Sequence, residues 1–216
     1  MVKNYFGAIP SGEEVARVDI KETPISETIT ATEYDDNIQI PAKLYVYRTP
    51  SMKERDAYIL EMISSILTDG KSSRMYKKMV DQDKSALQVL AFTRPQEDYG
   101  TYIMGALPLG DTELSTLATA MDEEINKLKN ELISEREYQK LQNKFENNFV
   151  SSNSSIQGVA NSLARYYMLY EDINLINKEI EIYRSITREE IKEAANKYLN
   201  KNQRLELDYL PTPESK

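Results

Sequence analysis

The sequence predicts an α+β fold, in which helices pack on one face of a mostly antiparallel β-sheet. Three observations support this fold class. Short segments of alternating apolar and polar residues occur near residues 26–48, 86–107 and 205–209. Apolar residues recur at spacings of three and four through most of residues 114–199. Strands and helices are therefore partly segregated along the chain, as they are in α+β proteins.

Composition limits the classes of function. The chain has 216 residues, of which 40% are hydrophobic and 29% charged, and this is typical of one soluble globular domain. Its net charge of −8 argues against nucleic acid as a partner, because a phosphate-binding surface needs clustered Lys and Arg. No apolar run is long enough to span a bilayer, so we expect no membrane partner. Residues 1–6 lack the long apolar region of a signal peptide.

The most informative feature of the composition is that the chain contains no His and no Cys. Common zinc sites need His or Cys ligands, so we expect this chain to bind no zinc and no other cofactor. A His-based catalytic triad and a cysteine nucleophile are also excluded. We therefore predict no catalytic, cofactor-binding or metal-ligating residue here.

The first two predicted strands follow a lead-in over residues 1–24, where turn formers interrupt a few aromatic residues. Residues 26–34 and 38–48 alternate, and the short acidic segment 35–37 between them predicts a β-hairpin. Pro41 has no amide donor, so we expect it on an edge strand or at a bulge.

Residues 56–92 form the unit around which the predicted fold is organised. A helix with an apolar face ends at the glycine turn 69–73, a second helix follows, and residues 86–92 alternate as a strand. Ser51 followed by Glu54 has the spacing of a capping box and predicts the start of the first helix. This order lets two helices lie on one face of the sheet.

The rest of the chain is predicted to be one more strand, a run of helices and a closing strand. Residues 99–107 alternate as a strand, and residues 205–209 alternate again near the end. Helical spacing extends over residues 114–132, 134–149, 156–170, 173–182 and 187–199. Two further capping boxes, Ser134 with Glu137 and Thr187 with Glu190, predict where two of these helices begin.

Three features suggest a site, and each has a simpler explanation. The triplet 70–72 (GKS) resembles the end of a phosphate loop, but the earlier glycine and the preceding strand are missing, which favours helix capping. Glu123 and Glu124 could act as paired carboxylates, but we predict them on the exposed side of a helix, with Glu123 paired to Lys127. Three tyrosines within residues 166–170 could form a ligand face, but at helical spacing they more often pack half-buried.

Four segments of the sequence, in this order and at this spacing, resemble the sequence pattern of a known protein family. Residues 5–10 (YFGAIP) read as a segment that joins two domains, and residues 48–50 with Asp56 as a strand end and a helix start. Residues 67–76 (LTDGKSSRMY) are the most specific match, and residues 205–211 read as a closing strand. Together they resemble the second domain of the pitrilysin/insulinase-type zinc metallopeptidases, whose zinc motif is the inverted H-x-x-E-H.

The resemblance implies zinc-dependent hydrolysis of peptides, inside a clamshell chamber, by the parent protein. It implies zinc only in an upstream domain, so the expected partners are that domain or a homologous partner subunit. In several family members the second domain supplies an Arg and, seven residues on, a Tyr to the active site. Aligned from residues 72–74, these positions are Val80 and Leu87, which donate no hydrogen bond. No motif assigns Arg94 or Tyr99 to this role.

Two main hypotheses follow, with residues 1–24 as a linker from an upstream domain and residues 25–216 as a single domain. The first is a non-catalytic, chamber-forming domain of a zinc-dependent peptidase, inactive alone, which helps to enclose substrate and docks against its partner domain or subunit. The alternative is a scaffold or interaction subunit whose parent is not an enzyme. A third is an unrelated module that binds peptides at a free sheet edge. The first also predicts an exposed apolar surface where the upstream domain docks.

Overall fold

The structure is a computed structural model that describes residues 1–13, 15, 16, 18 and 23–213. Five strands form one sheet: β1 (Ile29–Asp35), β2 (Ala42–Thr49), β3 (Ala86–Arg94), β4 (Gly100–Pro108) and β5 (Arg204–Pro211). The described α-helices are α1 (Val2–Phe6), α2 (Arg55–Thr68), α3 (Leu114–Asn130), α4 (Glu135–Ser152), α5 (Ile156–Arg165), α6 (Leu175–Ser185) and α7 (Arg188–Tyr198). There are also two π-helices, Tyr76–Gln82 and Tyr166–Tyr170. No helix within these described ranges is long and apolar enough to cross a membrane.

The sheet confirms the predicted fold class but not the predicted hairpin. The strand order is β1-β5-β2-β4-β3, in which β1 runs parallel to β5 and the other neighbours are antiparallel. β5 therefore lies between β1 and β2. The segment after β1 is therefore not a hairpin turn, since β1 and β2 do not pair with each other. The Asp35 carboxylate accepts two local 2.8 Å hydrogen bonds from Asn37, and a bond from the Tyr209 hydroxyl attaches the end of β1 to β5.

β2 is an interior strand, so the expectation that Pro41 lies on an edge strand or at a bulge is wrong. The strand begins at Ala42, one residue later, and Pro41 therefore removes no ladder hydrogen bond. Along β2 the side chains of Tyr45 and Tyr47 are buried towards the helices, whereas Leu44 and Val46 are half-buried on the opposite face.

The core lies between the sheet and the helices. α2 packs along β3, and the segment after its glycine turn places Met75 and Met79 in the same core. The predicted inward face of α2 is confirmed, since Ile59, Met62 and Ile63 are buried. The largest fully buried side chains come from both layers: Tyr45, Tyr47, Leu60, Met62, Ile63, Leu67, Met75, Met79, Tyr102, Met104, Leu117 and Arg204.

Two of the three predicted capping boxes are present, at Ser134–Glu137 and Thr187–Glu190. The third is wrong, because α2 begins after Glu54 with no side-chain cap. The Ser51 hydroxyl is used elsewhere: it donates to the Glu97 carbonyl oxygen at 2.5 Å. That bond connects the end of β2 to the β3–β4 loop.

The position predicted for the Glu123–Glu124 pair is only half right. Glu124 is buried rather than exposed, and its carboxylate accepts a 2.6 Å hydrogen bond from Lys127. Glu123 instead lies 3.7 Å from the Lys78 ammonium group. Neighbouring residues are separated by about 100° around a helix, and the apolar spacing alone did not resolve that difference. Glu124 thus pairs within α3 and Glu123 with the first π-helix, and the two carboxylates do not act together as an acid–base pair.

The Tyr102 hydroxyl is buried and has no hydrogen-bond partner among the described residues, whereas the Tyr47 hydroxyl accepts a 3.2 Å bond from Arg204. Tyr102→Phe is therefore expected to leave the free energy of unfolding unchanged or raise it by up to about 1 kcal/mol. Tyr47→Phe is the matched control and is expected to lower it by about 1 kcal/mol. Urea denaturation measures both. A loss of more than about 1 kcal/mol in Tyr102→Phe would contradict the description of an unpartnered hydroxyl.

Candidate functional site

The two positions that the resemblance aligns with the family's Arg and Tyr hold the apolar side chains of Val80 and Leu87. Val80 lies in the first π-helix and packs against the core. Leu87 is half exposed at the beginning of β3. Neither residue has a hydrogen-bond donor in its side chain. These positions therefore offer nothing that could stabilise an oxyanion.

Arg94 and Tyr99 do not replace that pair. Arg94 ends β3, seven residues from Leu87, which corresponds to about 23 Å along a strand. Tyr99 lies in the loop just before β4, and the Arg48 guanidinium stacks over its ring at 5.4 Å. Both residues thus lie at the opposite end of the sheet from Leu87.

The glycine turn after α2 is a structural junction. Gly70 has φ +72°, and its carbonyl oxygen accepts from the Ser73 amide and hydroxyl at 3.1 and 2.8 Å. Arg74 donates two hydrogen bonds to Glu137, at 2.8 and 3.1 Å, and Lys140 contacts the Ser72 hydroxyl. These contacts join the turn to α4, and the phosphate-loop interpretation has no support from them.

Glu137 makes this junction sensitive to acid. Its hydrogen bonds with Arg74 and with Ser134 lower the pKa of the carboxyl from 4.5 to about 2. Because the pKa is lowered in the folded state, the stabilisation is complete above about pH 4.5 and is lost as the pH falls towards 2.

Glu137→Gln is therefore expected to lower the free energy of unfolding by about 1 kcal/mol at pH 7, since the pair is partly solvated. It is also expected to weaken the fall in stability between pH 4.5 and about 2. Denaturant titrations at several pH values measure both effects. Exposed Glu131→Gln serves as the control and should change neither. An unaltered pH profile for Glu137→Gln would show that the Arg74 contact is not formed in solution.

The tyrosines of residues 166–170 do not share one ligand face. Tyr166 is buried, and its hydroxyl donates to Glu179 at 2.5 Å. Tyr170 packs edge-to-face on Tyr166, with 6.1 Å between ring centroids. Tyr167 points to solvent. The packing explanation is thus correct for Tyr166 and Tyr170, while Tyr167 belongs to a different surface.

The face of the sheet opposite Tyr45 and Tyr47 has an apolar centre, and polar or charged side chains lie on the same face nearer the strand ends: Glu33, Asp35, Arg48, Gln88, Arg94 and Thr101. We call the apolar centre the open face, and it comprises Ile29, Ala31, Leu44, Val46, Leu90, Phe92, Ile103, Leu107, Leu205 and Leu207. The strand register aligns these side chains in rows across all five strands, for example Ile29, Leu205, Val46, Ile103 and Phe92. Each of these residues is half-buried or exposed, and none is buried. A contiguous apolar area of this kind is typical of surfaces that contact another protein, a membrane or a ligand.

A second feature is a groove along the free edge of β3, which we call the edge groove. It has a volume of about 350 Å³ and is lined by Glu61, Ser64, Ser65, Thr68, Asp69, Val89, Leu90, Ala91, Lys144, Phe145 and Asn148. The Thr68 hydroxyl donates to the Ala91 carbonyl oxygen at 3.4 Å, so this carbonyl points away from β4. Backbone groups of alternate residues in an antiparallel strand point the same way. The edge groove is therefore bordered by backbone groups of β3 that no neighbouring strand pairs with, of which the Ala91 carbonyl oxygen is bonded to Thr68.

Both signs of charge line the edge groove. The Glu61 carboxylate accepts a 2.5 Å hydrogen bond from the Tyr183 hydroxyl, and the surrounding protein raises its pKa by desolvation. Lys144 contacts Asp69 and Ser65, and desolvation lowers its pKa. Among the described residues, no group of three or more His, Cys, Asp or Glu side chains is placed to hold a metal ion. The groove thus offers polar and charged groups of both signs, and within it the Lys144 ammonium donates a 2.9 Å hydrogen bond to the Ser65 hydroxyl.

Comparison with known proteins gives consistent results. Residues 1–145 match the family described as the peptidase M16 inactive domain. A curated relative, the zinc protease PqqE of Helicobacter pylori, is 23% identical over 203 residues, which cover 93% of this chain and 46% of that protein. A protease structure from H. pylori superposes with a TM-score of 0.87 at 22% identity, covering 96% of this chain and 50% of that one.

A further structure, the inactive peptidase domain of a zinc protease homologue from Bordetella parapertussis, superposes with a TM-score of 0.73 at 22% identity. It covers 82% of this chain and 94% of that one. Similarity at these identities shows the fold. The chain spans about half the length of the H. pylori proteins it matches.

Proposed function

This chain belongs to the peptidase M16 inactive-domain family, and from this premise we propose that it is the chamber-forming, non-catalytic half of a zinc-dependent peptidase. In this proposal an upstream half of the parent protein carries zinc and the hydrolytic residues. The present half docks against it through the open face and helps to enclose the peptide substrate. Residues 25–216 then form the domain, and residues 1–24 connect it to the upstream half.

The open face is the observation that carries the proposal. Covering about 800 Å² of apolar surface contributes about 20 kcal/mol of gross hydrophobic free energy, at about 25 cal/mol per Å². Association costs offset much of this contribution. The remainder is still enough to keep two halves of one protein together, particularly when a covalent linker raises their effective concentration.

The chemistry of the chain supports the assignment of roles. With no His or Cys, it cannot supply a common zinc site. Val80 and Leu87 cannot complete the active site from the opposite wall. If the parent is active, the hydrogen-bond donors that the family's Arg and Tyr supply would therefore come from a homologous partner subunit or be absent.

The edge groove is the part of this half that we expect to contact peptide. An extended peptide could add to the outer edge of β3, which no other strand occupies, as peptides do at other free sheet edges. Its polar side chains would meet Glu61 and Lys144.

The docking proposal is tested by producing the upstream half and this chain separately and mixing them. We expect them to elute together in size-exclusion chromatography, with a dissociation constant below about 1 μM. Separate elution at 10-fold higher concentration would contradict docking. The scaffold alternative predicts the same complex without peptide hydrolysis. The presence of H-x-x-E-H upstream favours the peptidase.

A further inference from the structure

One part of the helical layer contributes nothing to the hydrophobic core. We call residues 154–181 the helical arm, and they comprise α5, the second π-helix and most of α6. All residues of the arm are described, and none of them belongs to the core, either as a buried side chain or as a half-buried apolar one packed against it. By contrast, eight of the 14 residues of α2 are buried. Burial of apolar surface therefore does little to hold the arm on the rest of the domain.

The helical arm is held together by contacts of its own. Within its described residues only Tyr166 and Glu179 are buried, and the Tyr166 hydroxyl donates to the Glu179 carboxylate at 2.5 Å. The Arg165 guanidinium lies 3.4 Å from the same carboxylate and stacks over the rings of Tyr166 and Tyr170. These contacts join α5, the second π-helix and α6, so the arm can move as one unit.

Two cavities separate the helical arm from the rest of the domain, which we call the body. The larger cavity is polar, has a volume of about 160 Å³ and lies between Ser162, Arg165, Tyr166 and Glu179 of the arm and Glu61, Phe145, Asn148 and Phe149 of the body. The smaller cavity, of about 40 Å³, lies between Tyr170 of the arm and Met52, Tyr58, Thr93 and Pro95 of the body. Protein interiors are otherwise close-packed, so cavities along a boundary mean that its two sides lose van der Waals contacts.

The polar contacts that tie the tip of the helical arm to the body are weak. Glu171, in the turn before α6, lies 3.5 Å from the Lys53 ammonium group, and both side chains are exposed. The Tyr170 hydroxyl shares a hydrogen bond with the Tyr58 hydroxyl. Exposed ion pairs contribute little to stability, so these contacts can break without much loss.

Both ends of the helical arm are suited to act as hinges. At one end, the polar segment 153–155 (NSS) separates α4 from α5. At the other end, the last turn of α6 is anchored to the body, because Tyr183 stacks on Phe145 at 4.5 Å and donates to Glu61 at 2.5 Å. Asn153 and Tyr183 line the same cavity, so the two ends lie near each other. The arm can thus swing about this end while α6 stays attached.

Two carboxylates lie on opposite sides of the larger cavity, Glu61 on the body and Glu179 on the helical arm. Desolvation by the surrounding protein, together with the charge of Glu179, raises the pKa of Glu61. Tyr183, Arg165 and Lys144 act in the opposite direction but do not reverse the shift. The closed position of the arm therefore disfavours the ionised form of Glu61, and an ionised Glu61 favours movement of the arm away from it.

We propose that the helical arm is a lid beside the edge groove, that it opens as one unit while the body stays folded, and that Glu61 and Glu179 oppose its closure. The larger cavity and the edge groove share Glu61, Phe145 and Asn148. Opening of the lid therefore joins the cavity and the edge groove into one longer groove. The role of this groove in admitting peptide rests on the proposed function, whereas the opening itself does not.

Pulsed electron paramagnetic resonance between pairs of spin-labelled cysteines tests the proposal, because the 216-residue chain has no Cys of its own. Tyr167→Cys with Leu132→Cys reports the distance between arm and body, and both positions are exposed. The control pair, Leu87→Cys with Leu132→Cys, lies entirely in the body. We expect the arm–body pair to give a distance distribution at least about twice as broad as the control pair, with separate open and closed distances. An arm–body distribution as narrow as that of the control would overturn the proposal.

A third pair tests whether the helical arm moves as one unit. Ile156→Cys on α5 and Lys178→Cys on α6 are both exposed and lie within the arm. Their distance distribution should be as narrow as that of the control pair. Broadening equal to that of the arm–body pair would show that the two helices move separately, and would overturn the proposal of a single lid.

Glu61→Gln tests the opposing carboxylates. Gln can still accept a hydrogen bond from Tyr183 but carries no charge, so the ratio of closed to open distances in the arm–body pair is expected to rise at least about threefold. Glu33→Gln is the control, because Glu33 is exposed on β1, at the opposite edge of the sheet from β3, and it should leave the ratio unchanged. An equal ratio in the Glu61→Gln and unaltered chains would overturn the role of the carboxylate pair. Peptide is absent from all these measurements, so a failure of the proposed function would leave their outcome unchanged.

Discussion

Replacing Arg204 with Met is expected to lower the free energy of unfolding by about 3–5 kcal/mol. Arg204 is 1% exposed, and its guanidinium donates to both carboxylate oxygens of Asp122 at 2.5 and 3.0 Å. It also donates to Glu206 at 3.0 and 2.6 Å and stacks 3.6 Å above the Tyr45 ring. Met fills similar space but removes the cation from Asp122 and leaves Glu206 with Lys43 alone, at 3.8 Å. The cost is mainly that of leaving buried charge uncompensated.

Urea denaturation measures the effect of Arg204→Met, with exposed Arg136→Met as the control, which should change stability by less than about 0.5 kcal/mol. Adding Asp122→Asn to Arg204→Met removes one of the orphaned charges. The double variant should therefore lose less than the sum of the two single variants. A loss below about 1 kcal/mol for Arg204→Met would show that the network is solvated rather than buried.

Leu207→Glu is expected to weaken docking to the upstream half at least 100-fold while leaving the isolated domain folded. Leu207 is half-buried in the middle of the open face, where it pairs with Ala31 on one side and Leu44 on the other. A carboxylate at this position remains hydrated in the free domain. In the docked state it would be buried without a partner, which costs several kcal/mol.

Reassociation of separately produced halves, followed by titration calorimetry, measures this effect. Tyr34→Glu is the matched control, because Tyr34 is exposed and lies on the helix-bearing face of neighbouring β1. The dissociation constant of the Tyr34→Glu variant for the upstream half should remain within about threefold of that of the unaltered chain. If Leu207→Glu and Tyr34→Glu weaken association equally, the open face is not the docking surface.

The fold class and most elements could be predicted from the sequence because they depend on local patterns. The capping boxes at Ser134 and Thr187 mark helix starts through contacts between residues three positions apart. The position of β5 between β1 and β2 could not be predicted in this way. It depends on pairing of Ile29 with Leu205, across almost the entire chain. The short acidic segment 35–37 between two alternating segments predicted a hairpin, and this local pattern was misleading.

The candidate surfaces were harder to predict from the sequence than the fold class. The alternation of Leu44 and Val46 with Tyr45 and Tyr47 reveals that β2 has two apolar faces, but not which face the helices cover. The edge groove required the strand order, which makes β3 an edge strand. Helical spacing alone favoured burial for residues such as Tyr167.

The central claim is that this chain is the non-catalytic half of a zinc-dependent peptidase. Its most direct test is hydrolysis of a mixed peptide pool by three proteins: the parent protein, the parent without residues 25–216, and the 216-residue chain alone. Each is assayed with and without a zinc chelator. We expect chelator-sensitive cleavage by the parent, a loss of at least 10-fold in the truncated parent, and none by the chain alone. Cleavage by the chain alone, or full activity of the truncated parent, would contradict the claim.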